Sequence, residues 1–212
     1  MFLKTKPITI PVKNNGDNFP VGSIYCVGRN YIAHAVEMGE DKRVPPFFFS
    51  KATWTIANEI IQYPKGTSSL QHEVEFVIAV GEESSIYGFS VGVDLTRRDI
   101  QKEAKMNGRP WFSGKNFQGS SVVSEIVLFN PKIDLSNLKL ELYVNGDIKQ
   151  KGNCSDMIWN PGEIMCELTK EIELKAGDLI FTGTPEGIGD LEKGDRVLIS
   201  IPEHINHTFS IK

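Results

Sequence analysis

Along most of the chain apolar residues fall in short runs of strand formers closed by glycine, proline or asparagine, and from Leu138 to Val144 apolar and polar residues alternate, a pattern of strands. The strongest run is Glu73 to Val80, where Val74, Phe76 and Val77 to Val80 are strand formers and Gly81 stops them. Further strands are predicted at Ile8 to Val12, Ser23 to Val27, Glu59 to Tyr63, Gly88 to Val93 and Leu138 to Val144. The run Phe47-Phe48-Phe49 reads as a buried strand, and Asn145-Gly146 as a hairpin turn whose return strand starts at Ile148. Near the C-terminus two Gly-Asp turns, Gly177-Asp178 and Gly194-Asp195, each feed an apolar strand. Helical patterning is confined to Asn30 to Gly39, Leu95 to Met106 and Gly162 to Thr169, the last led by Pro161, while Trp111 to Phe117 reads as a loop. Many strands with three modest helices and no regular βαβ alternation give the α+β class.

Composition adds limits rather than identity. The 212 residues read as one domain, 1–212, with residues 1–22 a short N-terminal extension packed on it. A formal net charge of −4 gives no electrostatic reason to expect nucleic acid as a partner. Cys26, Cys154 and Cys166 are odd in number and lack zinc or CxxC spacing, so they read as buried thiols of a reducing compartment. The first residues lack an apolar signal region and no stretch reaches membrane-spanning length, so the expectation is a cytoplasmic protein with no membrane contact.

Candidate chemistry starts on the strongest strand. Glu73 and Glu75 project from one face of it, and two adjacent carboxylates among apolar residues call for a cation, most simply a hard divalent metal. Asp94, at the end of the next predicted strand, would complete a three-carboxylate site. The competing reading is a solvated strand face with Asp94 capping a helix, and spacing alone leans to it. His34 and Glu37 stand at i, i+3 and suit water activation, or else form an exposed helix pair. His72 points to the strand face opposite Glu73, and His204 and His207 read as surface residues. Lys51 and Lys115 are point charges for a substrate carboxylate or ordinary surface lysines. Thr184 sits in a Gly-Thr-Pro turn, in a glycine-rich loop from Thr182 to Gly189 that lacks the ending of a phosphate-binding loop.

Taken in order, several motifs resemble the fumarylacetoacetate hydrolase family, in its small acylpyruvase and oxaloacetate decarboxylase-like branch. They are Tyr25-Cys-Val-Gly-Arg29-Asn-Tyr-Ile-Ala-His34-Ala-Val-Glu37-Met, His72-Glu73-Val-Glu75 and Val93-Asp94-Leu-Thr-Arg-Arg-Asp99-Ile-Gln101. Gly108-Arg-Pro-Trp111-Phe-Ser-Gly-Lys115-Asn-Phe117 and Gly177-Asp-Leu-Ile-Phe-Thr-Gly183-Thr184-Pro185-Glu-Gly187-Ile-Gly189 follow. The resemblance implies a mixed β-roll-like α+β fold, a homodimer, and Mg²⁺ or Mn²⁺ held by Glu73, Glu75 and Asp94. It implies catalytic roles for His34, Glu37 and Lys115, with Arg29, Gln101, Lys115 and Thr184 contacting a small 2-oxo acid. The implied reaction is C–C cleavage, by acylpyruvate hydrolysis or oxaloacetate decarboxylation, through a pyruvate enolate that the metal stabilises. A keto–enol isomerase or hydratase, or a non-catalytic 2-oxo-acid-binding protein, are the alternatives. Ala52 after Lys51, Cys154, and Phe112-Ser113-Gly114 depart from the branch's usual residues and bear on substrate identity.

Overall fold

The computed structural model describes residues 7–31, 44–57 and 59–212. His34 and Glu37, with most of the predicted helix Asn30 to Gly39, lie outside the described residues. At its start the prediction is overturned: Tyr31 forms an isolated antiparallel bridge to Met157.

The strand-forming segments pair into two main sheets. In the larger, the order is Phe47–Lys51, Ile24–Gly28, Leu179–Phe181, Val74–Val80, Ile86–Asp94, Ser121–Val123 and Ile56–Ala57, with Val127–Leu128 also on Ile86–Asp94. It is mixed: Leu179–Phe181 runs parallel to Ile24–Gly28, and Ser121–Val123 parallel to Ile56–Ala57, among antiparallel pairs. The second runs Asp147–Asn153, Lys139–Val144, Arg196–Ile201, Ile205–Ile211 and Ile60–Ile61. A three-stranded sheet of Thr96–Arg97, Leu70–His72 and Gly189–Leu191 lies at the chain's approach to the central strand. With the α-helices Arg98–Met106, Phe112–Lys115 and Pro161–Leu168, the described chain is strand-rich α+β, as its patterning predicts.

Val74–Val80 is buried at every position, which explains its near-continuous apolar sequence. Val74, Phe76, Ile78 and Val80 face a core shared with the second sheet. Val77 and Ala79 face a second cluster with Cys26, Leu179 and Phe181, covered by Ile10, Val12 and Phe19 around the N-terminal hairpin Thr9–Pro11/Asn18–Pro20. Burying one such side chain contributes roughly 1.5–3 kcal/mol.

Local signals explain the edges. Asn145 (φ 53°) and Gly146 (φ 93°) take the left-handed pair that a two-residue hairpin needs. Pro161–Leu168 starts with a reciprocal capping box: Glu163 N–H donates to Asn160 Oδ1, and Asn160 N–H donates to the Glu163 carboxylate. Three local expectations are corrected. Phe47–Lys51 is an edge strand, so Phe47 is 39% exposed rather than buried. The helix expected from Leu95 begins at Arg98, because Thr96–Arg97 pairs with Leu70–His72, and Arg97 rather than Asp94 stands at the cap. Trp111 to Phe117 includes the one-turn helix Phe112–Lys115, and its Gly114 lies so near helix Arg98–Met106 that a Cβ there would meet Gln101 Cβ at 2.9 Å.

Candidate active site

Period two and one antiparallel pairing assemble the carboxylates. Val74 lies opposite Val93, and Asp94 N–H donates to the Glu73 carbonyl at 2.9 Å, which puts Asp94 beside Glu73. Glu73 and Glu75 share the face that carries Val77 and Ala79 further along, so an apolar core at one end of the strand becomes a carboxylate cluster at the other. Glu75 faces Gly92 across the pair, where a Cβ would meet the Val122 carbonyl oxygen at 2.8 Å and the Phe181 ring at 2.9 Å. Glu73, Glu75 and Asp94 are all buried, with ligand oxygens within 4.8 Å of one another. Burial excludes the solvated-face reading that spacing alone favoured.

Cations line the same space. Lys115, delivered by the one-turn helix, donates to Glu73 Oε2 at 2.6 Å, Asp94 Oδ2 at 2.6 Å and Thr96 Oγ1 at 2.7 Å. Lys51, on the edge strand, pairs with Asp94 Oδ1 and donates to the Ser120 carbonyl at 2.6 Å. Arg98 pairs with the other Glu73 oxygen and also holds Gln71 and Gln101. Among the described residues Glu75 is in no ion pair; its Oε2 accepts the Gly183 N–H at 2.7 Å. Burial, then the charges of Asp94 and Glu73, push the Glu75 carboxyl well above its ordinary range. Burial pushes Glu73 the same way, but Lys115 and Arg98 outweigh it and hold Glu73 far below. Burial would lower Lys115, yet Asp94 and Glu73 raise it. A buried carboxyl with two charged carboxylate neighbours and a single backbone donor suits a hard divalent cation, so the donor set fits Mg²⁺ or Mn²⁺.

Above the carboxylates the cleft wall carries Arg29, Gln101, Lys115 and Thr184, four residues singled out from the sequence, with Phe49 and Trp111 as apolar panels. Arg29 has a left-handed φ of 57°, rare for a side chain of its size, and its guanidinium stands 6.0 Å from the Phe47 ring centre. Asn30, wholly buried, fixes this corner: its amide donates to the carbonyls of Trp159 (2.9 Å) and Thr182 (2.8 Å) and accepts the Trp159 N–H at 2.8 Å. Ile158 N–H donates to the Asn30 carbonyl at 2.7 Å, and Trp159 Nε1 donates to the Val44 carbonyl at 3.2 Å.

His72 stays out of the cluster, its Nδ1 bonded to Gln150 at 2.8 Å, and burial lowers its pKa. His204 is half-buried and packs edge-on against Phe89. Cys26 and Cys154 are buried as expected, but Cys166 is exposed on helix Pro161–Leu168. The sequence reading missed Arg98, although its i, i+3 spacing to Gln101 on a helix could have drawn it in. Nothing in the sequence pattern singled out Gln150.

The chain is similar to several known proteins. The chain is 38% identical to a fumarylpyruvate hydrolase of a Ralstonia species over 164 residues, 72% of this chain and 85% of that protein. It is 34% identical to the oxaloacetate tautomerase YcgM of Escherichia coli K12 over 203 residues, 88% of this chain and 91% of that one. The crystal structure of fumarylpyruvate hydrolase from Pseudomonas aeruginosa in complex with Mn²⁺ and pyruvate superposes with a TM-score of 0.94 at 34% identity, covering 100% of this chain and 98% of that one. The fumarylacetoacetate (FAA) hydrolase C-terminal family matches residues 23–209. With buried carboxylates and a cation-lined cleft inside the matched region, the chain belongs to the fumarylacetoacetate hydrolase family.

Proposed function

We propose that the chain is a divalent-metal-dependent enzyme acting on small 2-oxo acids, with acylpyruvate hydrolysis as its leading reaction and oxaloacetate decarboxylation beside it. The observation that carries this reading is the buried Glu73–Glu75–Asp94 cluster at the floor of a cleft walled by Lys115, Gln101 and Thr184. Support comes from relatives named for fumarylpyruvate and oxaloacetate, and from the Mn²⁺ and pyruvate of the Pseudomonas neighbour.

Glu73, Glu75 and Asp94 would hold Mg²⁺ or Mn²⁺, which when bound supplies Lewis-acid polarisation of a 2-oxo carbonyl and neutralises developing negative charge. Lys115, whose three protons go to Glu73, Asp94 and Thr96, would face a substrate carboxylate at the cleft floor as a point charge. Arg98 holds Glu73 and Gln101 in place, and Phe49 and Trp111 give the cleft an apolar side. By the family resemblance, His34 oriented by Glu37 takes a proton from the attacking water. The water oxygen bonds to the distal carbonyl carbon, and the bond from that carbon to C3 breaks. Its electron pair stays with the pyruvate portion, which takes up a proton. The products are a carboxylic acid and pyruvate.

The relationship to YcgM favours a second reading, keto–enol tautomerisation of oxaloacetate, which moves a proton without breaking a C–C bond. Pyruvate release from an acylpyruvate and from oxaloacetate, measured with Mg²⁺, with Mn²⁺ and with chelator, separates the two. Metal-dependent pyruvate formation is expected; rapid tautomerisation with no pyruvate from either compound overturns the hydrolase reading. Turnover of none of these, with tight oxalate binding, makes the protein a 2-oxo-acid binder. Two further parts of the proposal are a homodimer and a cytoplasmic setting. Phe47 and Phe112, exposed beside the cleft, support the first, and sedimentation equilibrium tests it. Among the described residues no helix is long and apolar enough to cross a membrane.

A further inference from the structure

Gln150 is buried in strand Asp147–Asn153 although Lys149 and Lys151 on either side are exposed. A β-bulge accounts for its aim: pairing with Lys139–Val144 steps from Tyr143–Ile148 to Leu142–Gln150, leaving Lys149 as the extra residue. The loop carrying Thr184 is seated on that bulge. Gly187 in the loop has φ 90°, and a Cβ there would meet the Lys149 carbonyl oxygen at 2.4 Å.

The Gln150 amide has its orientation fixed by two backbone groups. Oε1 accepts the Val74 N–H at 3.0 Å, and a peptide N–H can only donate. Nε2 donates to the Pro185 carbonyl at 3.0 Å, and a carbonyl can only accept. The second Nε2 proton therefore goes to Thr184 Oγ1 at 2.8 Å. His72 Nδ1, 2.8 Å from the same Oε1, is by the same reasoning the protonated ring nitrogen. Thr184 Oγ1 thus accepts from behind, and its one proton cannot point back at Gln150. Among the described residues Thr184 Oγ1 has Gln150 as its hydrogen-bond partner, and the residue lines the cleft beside Glu73 and Glu75.

We propose that Gln150 is a positioning residue that, by donating to Thr184 Oγ1, commits the Thr184 hydroxyl proton to an acceptor oxygen of the carboxylate or keto group of a 2-oxo acid in the cleft. The inference rests on the substrate class proposed above and deepens it. At Thr184 the cleft wall thus presents a hydroxyl proton to a ligand acceptor, beside the one lone pair that Gln150 leaves open.

The test uses the full-length protein with Mn²⁺ and oxalate as a stable mimic of a 2-oxo acid, read by calorimetry alongside KM and kcat for oxaloacetate. Gln150→Met is expected to weaken oxalate binding and raise KM roughly tenfold, the scale of a hydrogen bond to a charged group, with Mn²⁺ affinity unchanged. Thr184→Val should do the same, and Thr184→Ser should restore most of the loss. In the Thr184→Val background, Gln150→Met should add less than about twofold, because its effect acts through the missing hydroxyl. Should Gln150→Met fail to fold, Gln150→Glu keeps an acceptor for Val74 and His72 while removing the donor, and the same loss is expected. Equal effects of the Gln150 change with and without the Thr184 hydroxyl, or an unchanged oxalate affinity, overturn the inference alone. No oxalate binding by the wild type overturns it together with the proposed function.

Discussion

Replacing Lys115 by methionine keeps the length and packing of the stem and removes one buried charge. Lys115 is 3% exposed and bridges Glu73 and Asp94 at 2.6 Å each, so the change breaks two buried ion pairs. Removing one partner of a buried pair typically costs about 3–5 kcal/mol. Here neither carboxylate is left alone, since Arg98 still pairs with Glu73 and Lys51 with Asp94, and the expected loss is at the lower end, about 3 kcal/mol. Urea unfolding in the presence of chelator measures it without a metal contribution. The pH dependence has a definite sign. Glu73 is depressed in the folded state, so its contribution is present above the unfolded carboxylate pKa near ~4.3 and lost as pH falls through the folded value. Lys115 is raised, so its contribution is present below the unfolded lysine pKa near ~10.4 and lost as pH rises through the folded value. The gap between wild type and Lys115→Met should therefore be widest between those limits and narrow below about pH 4. A loss under about 1 kcal/mol at pH 7, the scale of an exposed pair, would refute the argument.

Asn160→Ala removes one half of the capping box of a helix outside the cleft lining, and should lower stability by about 1 kcal/mol in urea unfolding while kcat stays unchanged. Gly187→Ala forces a left-handed φ on a residue with a Cβ and drives it into the Lys149 carbonyl, so both the unfolding midpoint and kcat/KM should fall. Iodoacetamide under native conditions should label one thiol of three, Cys166, because burial pushes Cys154 up to about 12 and raises Cys26 further from reaction. Rapid native labelling of Cys26, read by peptide mass spectrometry, would contradict the closed packing of the second core cluster.

Parts of this architecture were legible in the chain and parts were not. The common face of Glu73 and Glu75 follows from the strand period, and the hairpin at Asn145-Gly146 from turn stereochemistry. Whether that carboxylate face is wet or buried depends on what covers it. Lys51 and Lys115 arrive from a distant strand and a one-turn helix, which local periodicity does not register. The phenylalanine run from Phe47 carried enough hydrophobicity to suggest full burial, yet strand order put it at a sheet edge. Gly114 hid the helix Phe112–Lys115, since glycine is a poor helix former and is required there only by the approach of Gln101. Gln150 was invisible for a related reason: a single bulged residue decides which way it points.

The tie points around Asn30 have a consequence for how the chain tolerates change in length. Asn30 and Val44 are both hydrogen-bonded to the stretch Ile158–Trp159, so the two ends of the connection between them are held close together. Doubling such a connection costs only about 0.6 kcal/mol in closure entropy. Insertions and deletions between Asn30 and Val44 should therefore leave the sheet and its carboxylates in register. A loss of the Asn30 amide, far smaller in atoms, would release both the connection and the backbone at Thr182 that leads to Thr184.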